Sequence, residues 1–176
     1  MSKDILADKA DTIFTRTDAA VKGYVTEDDF IAVAKKNLEK YKEAPDSSKA
    51  VALIESFKSL WRAYLSNLAT PQATKLSREE FRASFKKHKQ NKVFDKVLVP
   101  LYRNLFDVID TDGDGQLSVH EFSVLTAVNL AQAKQAFKEI DVDGDGHISR
   151  DEYLSAFKAF CESSEPTSTG NLLFKG

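Results

Sequence analysis

A single cysteine, Cys161, rules out an internal disulfide and any multi-cysteine metal site, so a reducing, cytoplasmic setting is expected. Near the end of the last helix, Cys161 reads as a small buried or half-buried thiol rather than a redox centre. The one methionine is Met1, which leaves no methionine-rich surface for adaptable partner grooves. Three histidines, His88, His120 and His147, form no Cys/His cluster. No apolar run approaches the roughly 20 residues that a membrane-spanning helix needs. The start, Met1-Ser2-Lys3-Asp4-Ile5, has neither an apolar signal core nor the glycine that myristoylation requires. No phosphate-cradling glycine loop and no catalytic constellation is present, so no enzyme is expected.

What the chain does have is two twelve-residue acidic loops. The first runs from Asp110 through Asp112, Asp114, Gln116 and Ser118 to Glu121, and the second from Asp141 through Asp143, Asp145, His147 and Ser149 to Glu152. Carboxylates on alternate residues of a tightly curled backbone converge on one point, and Gly115 and Gly146 permit the sharp turn. The carbonyl of Gln116 or His147 adds an oxygen, Ser118 or Ser149 acts through water, and Glu121 or Glu152 closes the shell with two more. Such an all-oxygen set of about seven ligands suits Ca2+, with Mg2+ as a competitor, and is the pattern of an EF-hand.

The same grammar recurs twice in damaged form. Val25-Thr26 with Asp29-Phe30, and Leu76-Ser77 with Glu80-Phe81, repeat the order of Leu117-Ser118 with Glu121-Phe122 and Ile148-Ser149 with Glu152-Tyr153. In each, the apolar residue should pair with its partner loop, while the Ser/Thr and the acid form a capping box that starts a helix. The first loop, Asp18 to Asp29, keeps Asp18, Gly23 and Asp29, but Ala20 and Lys22 occupy ligand positions. The second, Ala69 to Glu80, has Ala69, Pro71 and Ala73 where carboxylates belong. Two ions are therefore expected, not four.

Charge follows this division. Each complete loop carries a net −4, so the remainder is +6 although the total is only −2. The basic run Arg82, Lys86, Lys87, Lys89, Lys92 and Lys96 lacks aromatic interleaving and reads as a solvated helical face, not a nucleic-acid surface. Helical periodicity places Ile5, Leu6, Ala10, Ile13 and Phe14 on one face, then Phe30, Ile31, Ala34, Leu38 and Tyr41, then Val51, Ile54, Phe57, Trp61, Leu65 and Leu68. A helix carrying Val93, Phe94, Val97, Leu101, Leu105 and Phe106 should kink at Pro100. The interval between the last two loops leaves a short connection around Asn129-Leu130, so the helices flanking it must be short.

The expected fold is all-α: four EF-hands, eight helices, in two face-to-face lobes forming one compact globule with short loop-pairing β-bridges. Residues 1–90 would make a lobe of two degenerate hands, 91–161 a lobe of two calcium-binding hands, and 162–176 a tail docking through Leu172, Leu173 and Phe174. The uneven hands, Ser59-Leu60-Trp61-Arg62-Ala63-Tyr64-Leu65, Val99-Pro100-Leu101-Tyr102 and Gly170-Asn171-Leu172-Leu173-Phe174 resemble the invertebrate sarcoplasmic calcium-binding proteins and their bacterial relative calerythrin. That resemblance implies a monomeric calcium buffer or transport protein, sarcoplasmic if from muscle. The family commonly keeps a working first site, which Ala20 and Lys22 remove here.

Twelve Phe, five Tyr and one Trp give the apolar interior the look of a permanent packed core. The alternative is a calcium-triggered ligand carrier resembling the coelenterazine-binding proteins, its aromatic interior enclosing a small apolar ligand. A sensor with a protein partner would need a surface exposed only in the loaded state.

Overall fold

The computed structural model describes residues 4–88, 93–126 and 130–163. Among them are eight α-helices: α1 (Ile5–Thr17), α2 (Glu27–Lys40), α3 (Ser48–Ser66), α4 (Arg78–His88), α5 (Val99–Ile109), α6 (Val119–Thr126), α7 (Leu130–Ile140) and α8 (Arg150–Glu162). Four two-residue strands lie in the loops: β1 (Tyr24–Val25), β2 (Leu76–Ser77), β3 (Gln116–Leu117) and β4 (Ile148–Ser149). They pair antiparallel, β1 with β2 and β3 with β4, placing Val25 opposite Leu76 and Leu117 opposite Ile148. All four of these residues are fully buried, so each bridge is also a hydrophobic tie between loops.

Local chemistry sets the helix ends. Asp4 accepts from Ala7 N at 3.1 Å to open α1, and Ser47 accepts from Ala50 N at 3.0 Å to open α3. The chain leaves α2 through Lys42, whose φ of 55° lets Lys42 N and Glu43 N return to the carbonyls of Glu39 and Leu38. The described part of α6 runs over 8 residues, Val119–Thr126. Residues 127–129 of the connection lie outside the described residues, as do the lobe boundary around Asn91 and the tail beyond Ser163.

The core is aromatic. In the N-terminal lobe Phe81 meets Phe14 at 5.5 Å and stacks on Tyr64 at 4.3 Å, while Phe30 lies 5.5 Å from Trp61. In the C-terminal lobe Phe106 meets Tyr153 at 5.6 Å and Phe122 meets Phe137 at 5.8 Å. The apolar face of α3 is broader than the expected one: Phe57 and Trp61 are buried and Ile54, Leu65 and Leu68 pack against the core as expected, but Val51 is 54 % exposed and Leu53, Leu60 and Tyr64 are buried too. The neighbours of α3 on two sides, α2 and α5, select that face.

Two further expectations are corrected. The helix before the third loop departs from α geometry ahead of Pro100, in a π-helical turn over Phe94–Leu98, and α5 then starts with Pro100 in its first turn. A proline ring crowds the carbonyl four residues back, here Lys96, so the wider turn falls upstream of the proline itself. Nor is the basic run simply solvated. Arg82 pairs with Asp11 and Lys86 with Asp4, fastening α4 to α1, while Lys87 Nζ donates to Asn67 O at 2.8 Å. Lys96 is exposed, and Lys89 and Lys92 lie outside the described residues.

The lobes meet along α3 and α5 and are fastened by polar contacts at the rim. Asn104 Nδ2 donates to Ser56 Oγ at 2.7 Å, and Tyr41 Oη donates to Glu121 O at 3.1 Å. Lys49 Nζ donates to Asp110 O at 3.2 Å. Lys9, only 5 % exposed, donates to Phe160 O at 2.6 Å and Ser163 O at 2.7 Å, so its ammonium caps the carbonyl end of α8. Burial lowers its pKa, the cost of that placement.

Phe81→Ala removes a fully buried ring that contacts Phe14, Phe30 and Tyr64. A loss of about 3 to 5 kcal/mol is expected in urea unfolding. A loss below about 1 kcal/mol would show that the N-terminal core does not depend on this packing.

Candidate metal centre

Three of the four loops begin in the same way. The first acid closes the last turn of the entering helix, with Asp18 N, Asp110 N and Asp141 N each donating at 2.8 Å to the carbonyl of a Phe four residues back. The chain then turns through left-handed positions: Gly113 and Gly115 have φ of 74° and 86°, and Gly144 and Gly146 have 73° and 87°. The fourth loop position thus takes this conformation as well as the sixth, where the turn glycine is expected.

These turns bring together the predicted aspartates. One carboxylate oxygen from each of Asp110, Asp112 and Asp114 lies within 4.8 Å of the other two, and the same holds for Asp141, Asp143 and Asp145. The loop's own N–H groups orient them. Asp110 Oδ1 accepts from Gly113 N at 2.8 Å and its Oδ2 from Gly115 N at 3.0 Å, and Asp141 accepts from Gly144 and Gly146 at the same distances. Asp114 accepts from Gln116 N and Asp145 from His147 N, both at 2.8 Å.

The glutamates are fixed from both sides. Glu121 Oε2 accepts from Ser118 N at 2.9 Å and Ser118 Oγ at 2.8 Å, while Oε1 accepts from Thr111 N at 2.8 Å and Thr111 Oγ1 at 2.9 Å. Glu152 repeats this with Ser149 and with Val142 N at 2.8 Å. Burial acts to raise both carboxyls, but the hydrogen bonds together outweigh it and hold each below the usual glutamate range. The acids therefore stay ionised in position. Ser118 and Ser149 spend their hydroxyls on these glutamates, and Gln116 and His147 lie half-buried at the strand ends. A charge-dense, all-oxygen, preformed cage of this kind fits a hard divalent cation.

The first loop keeps the shape and supplies its own cation. Gly23 has φ of 82°, and Val21 takes φ of 54° where the complete loops have glycine, a strain of roughly 1 to 3 kcal/mol for a β-branched residue. Asp18 accepts from Lys22 N and Gly23 N, both at 2.8 Å. Lys22 Nζ lies 2.7 and 2.6 Å from the two oxygens of Asp29, which raises the lysine pKa through that hydrogen bond. An ammonium thus stands between the fifth and twelfth loop positions. The second loop brings no carboxylate to a centre, and Glu80 serves Ser77 N at 2.8 Å and Ser77 Oγ at 2.7 Å.

Sequence reasoning missed the residues that link the loops. Arg150 pairs with Asp107, reaches Asp110 Oδ2 at 3.9 Å, and lies 4.5 Å from the centroid of the Phe106 ring. Arg78 repeats the arrangement in the other lobe, 3.5 Å from Asp11 and 4.5 Å from the centroid of Phe14. The available signal was an arginine two places before the final acid in both second loops of a pair. Tyr41 and Lys49, which hold the carbonyls of Glu121 and Asp110, had no signal of local spacing.

Comparison with known proteins agrees. Two family models, each described as an EF-hand domain pair, match residues 102–158 and 72–129. No curated protein matches the chain. Among solved structures, a calcium-binding protein of Streptomyces coelicolor is 27 % identical with a TM-score of 0.73, over 89 % of this chain and 97 % of that one. The calcium-loaded apo form of coelenterazine-binding protein from Renilla muelleri is 22 % identical with a TM-score of 0.66, over 99 % of both chains. Calcium-loaded apo-aequorin from Aequorea victoria is 16 % identical with a TM-score of 0.78, over 94 % of both.

If Lys22 is the obstacle, removing it without supplying ligands should not create a site. The triple variant Ala20→Asp, Lys22→Asp, Asp29→Glu should take up one more calcium ion than the parent in calorimetric titration, whereas Lys22→Ala should not. Uptake by Lys22→Ala alone would show that the ammonium was the sole barrier.

Proposed function

This chain is an EF-hand calcium-binding protein, and from that premise we propose that it holds two calcium ions, one in each of its last two loops. Asp110, Asp112, Asp114, the Gln116 carbonyl, Ser118 through water and Glu121 would form one shell. Asp141, Asp143, Asp145, the His147 carbonyl, Ser149 through water and Glu152 would form the other. The observation that carries this is the convergence of three aspartates in each loop, already oriented by the loop's own N–H groups. Preorganisation of this kind reduces the ordering that binding must impose. The ion would relieve repulsion among clustered carboxylates.

We infer a calcium buffer or transport protein acting as a cytoplasmic monomer, a binding protein and not an enzyme. The helices of both lobes are interlocked by buried aromatic rings, with no methionine surface waiting to open. A second reading, a ligand carrier, is favoured by one observation: a cavity of about 480 Å³ lies between the lobes. The Renilla neighbour is a protein named for binding coelenterazine, and the Streptomyces neighbour one described in calcium-mediated regulation.

Calorimetric titration should give two ions per chain. Glu121→Gln and Glu152→Gln should each weaken their own site strongly and the other site to a smaller extent, through the Leu117–Ile148 bridge. Independent titrations in both variants would refute the coupling. Buffer and sensor separate with a neutral apolar dye, which should bind the calcium-loaded form no better than the calcium-free form. A large calcium-induced gain would favour a sensor.

A further inference from the structure

The walls of the inter-lobe cavity are apolar for most of their extent, with Phe30, Phe57 and Leu60 from one lobe facing Leu101, Leu105 and Phe157 from the other. Its volume of about 480 Å³ falls within the roughly 300 to 1,000 Å³ typical of small-molecule sites. Tyr64 and Tyr102 also line it; burial raises the pKa of both, so they present neutral phenols. An ordinary packing defect would be apolar throughout. This one is not.

At one side the lining becomes cationic. Arg16, at the end of α1, and Lys36 and Lys40, one turn apart on α2, all border the cavity, and no Asp or Glu stands among the described lining residues. Like charges gathered at the mouth of an apolar chamber repel, and here three exposed cations stand beside the apolar lining. Burial lowers the Lys40 pKa first, and the Lys36 and Arg16 charges lower it further. Burial likewise lowers that of Arg16. A ligand bearing negative charge at this rim would relieve the repulsion, whereas a neutral one would leave it in place.

We propose that the cavity takes an amphiphile with one anionic head, of the class of medium- to long-chain carboxylates. The chain would lie among Phe30, Phe57, Leu60, Leu101 and Leu105, and the head between Lys36 and Lys40 near Arg16. This assignment rests on the carrier reading and specifies the ligand class for it. The phenols of Tyr64 and Tyr102 offer neutral donors within the chamber, but the selecting element is the basic rim.

Dodecanoate and 1-dodecanol, titrated separately into the calcium-loaded protein without excess calcium, test the idea. The acid should bind at one equivalent and at least about tenfold more tightly than the alcohol, the scale of one charge-assisted hydrogen bond. Lys36→Gln with Lys40→Gln should remove that preference, leaving alcohol binding and the two-ion calcium stoichiometry unchanged. Leu105→Trp, which fills the chamber, should abolish binding of both. Equal affinity for acid and alcohol, or a preference that survives loss of both lysines, would overturn the anionic-head assignment while sparing the carrier reading. Binding that persists in Leu105→Trp would place the amphiphile outside the chamber and overturn the assignment. Binding of neither compound would overturn both readings.

Discussion

The hydrogen bonds between the ninth and twelfth residues of each loop are what the rest of the molecule is built on. Thr26 with Asp29, Ser77 with Glu80, Ser118 with Glu121 and Ser149 with Glu152 all make them, at 2.7 to 2.8 Å from hydroxyl to carboxylate. The pair starts the exiting helix, fixes the strand residue just before it, and aims the last carboxylate. Two of the four hands lack the full set of carboxylates, yet none lacks this pair. The capping box is thus a folding requirement first, and in the last two hands the same acid is also available to an ion.

That division explains how a lobe with no complete cage keeps its form. In the first loop the Lys22 ammonium brings one positive charge against Asp29, where an ion would bring two, and the fewer acids leave less repulsion to offset. The backbone keeps its left-handed turn even through Val21. The bridge to the second loop then depends on Val25 and Leu76, which are as fully buried as Leu117 and Ile148. The first hand is therefore closed without a complete cage, by the Lys22–Asp29 pair within the loop and by the Val25–Leu76 bridge to a partner loop that lacks its carboxylates as well.

Much of this was legible in the chain, because EF-hand chemistry is local: ligands, turn glycines and caps sit within twelve residues of one another. The eight helices and the strand register followed from that spacing. The full width of the α3 face did not, since Val51 and Leu53 are equally plausible until the flanking helices are known. Pro100 correctly marked an irregularity but not its position, because the ring's clash is felt one turn earlier. Lys9, an ordinary surface residue by sequence, is buried because α8 ends beside it, a contact 151 residues away in the chain. The Arg82–Asp11 and Lys86–Asp4 pairs were hidden in the same way. Long-range polar partners leave no period in a sequence.

The clasp on the third loop has a kinetic side. Tyr41 and Lys49 reach across from the degenerate lobe and hold main-chain carbonyls at the first and last ligand positions, and Asp110 and Glu121 are 2 % and 5 % exposed. The fourth loop has no such clasp among the described residues, and its first aspartate, Asp141, is half-buried where Asp110 is buried, the other two being exposed in both loops. An ion held in the third loop would be coupled to the seam between the lobes through Tyr41 and Lys49, and one held in the fourth would not. Two cages with nearly the same donors would then differ in how far the release of an ion depends on the rest of the fold.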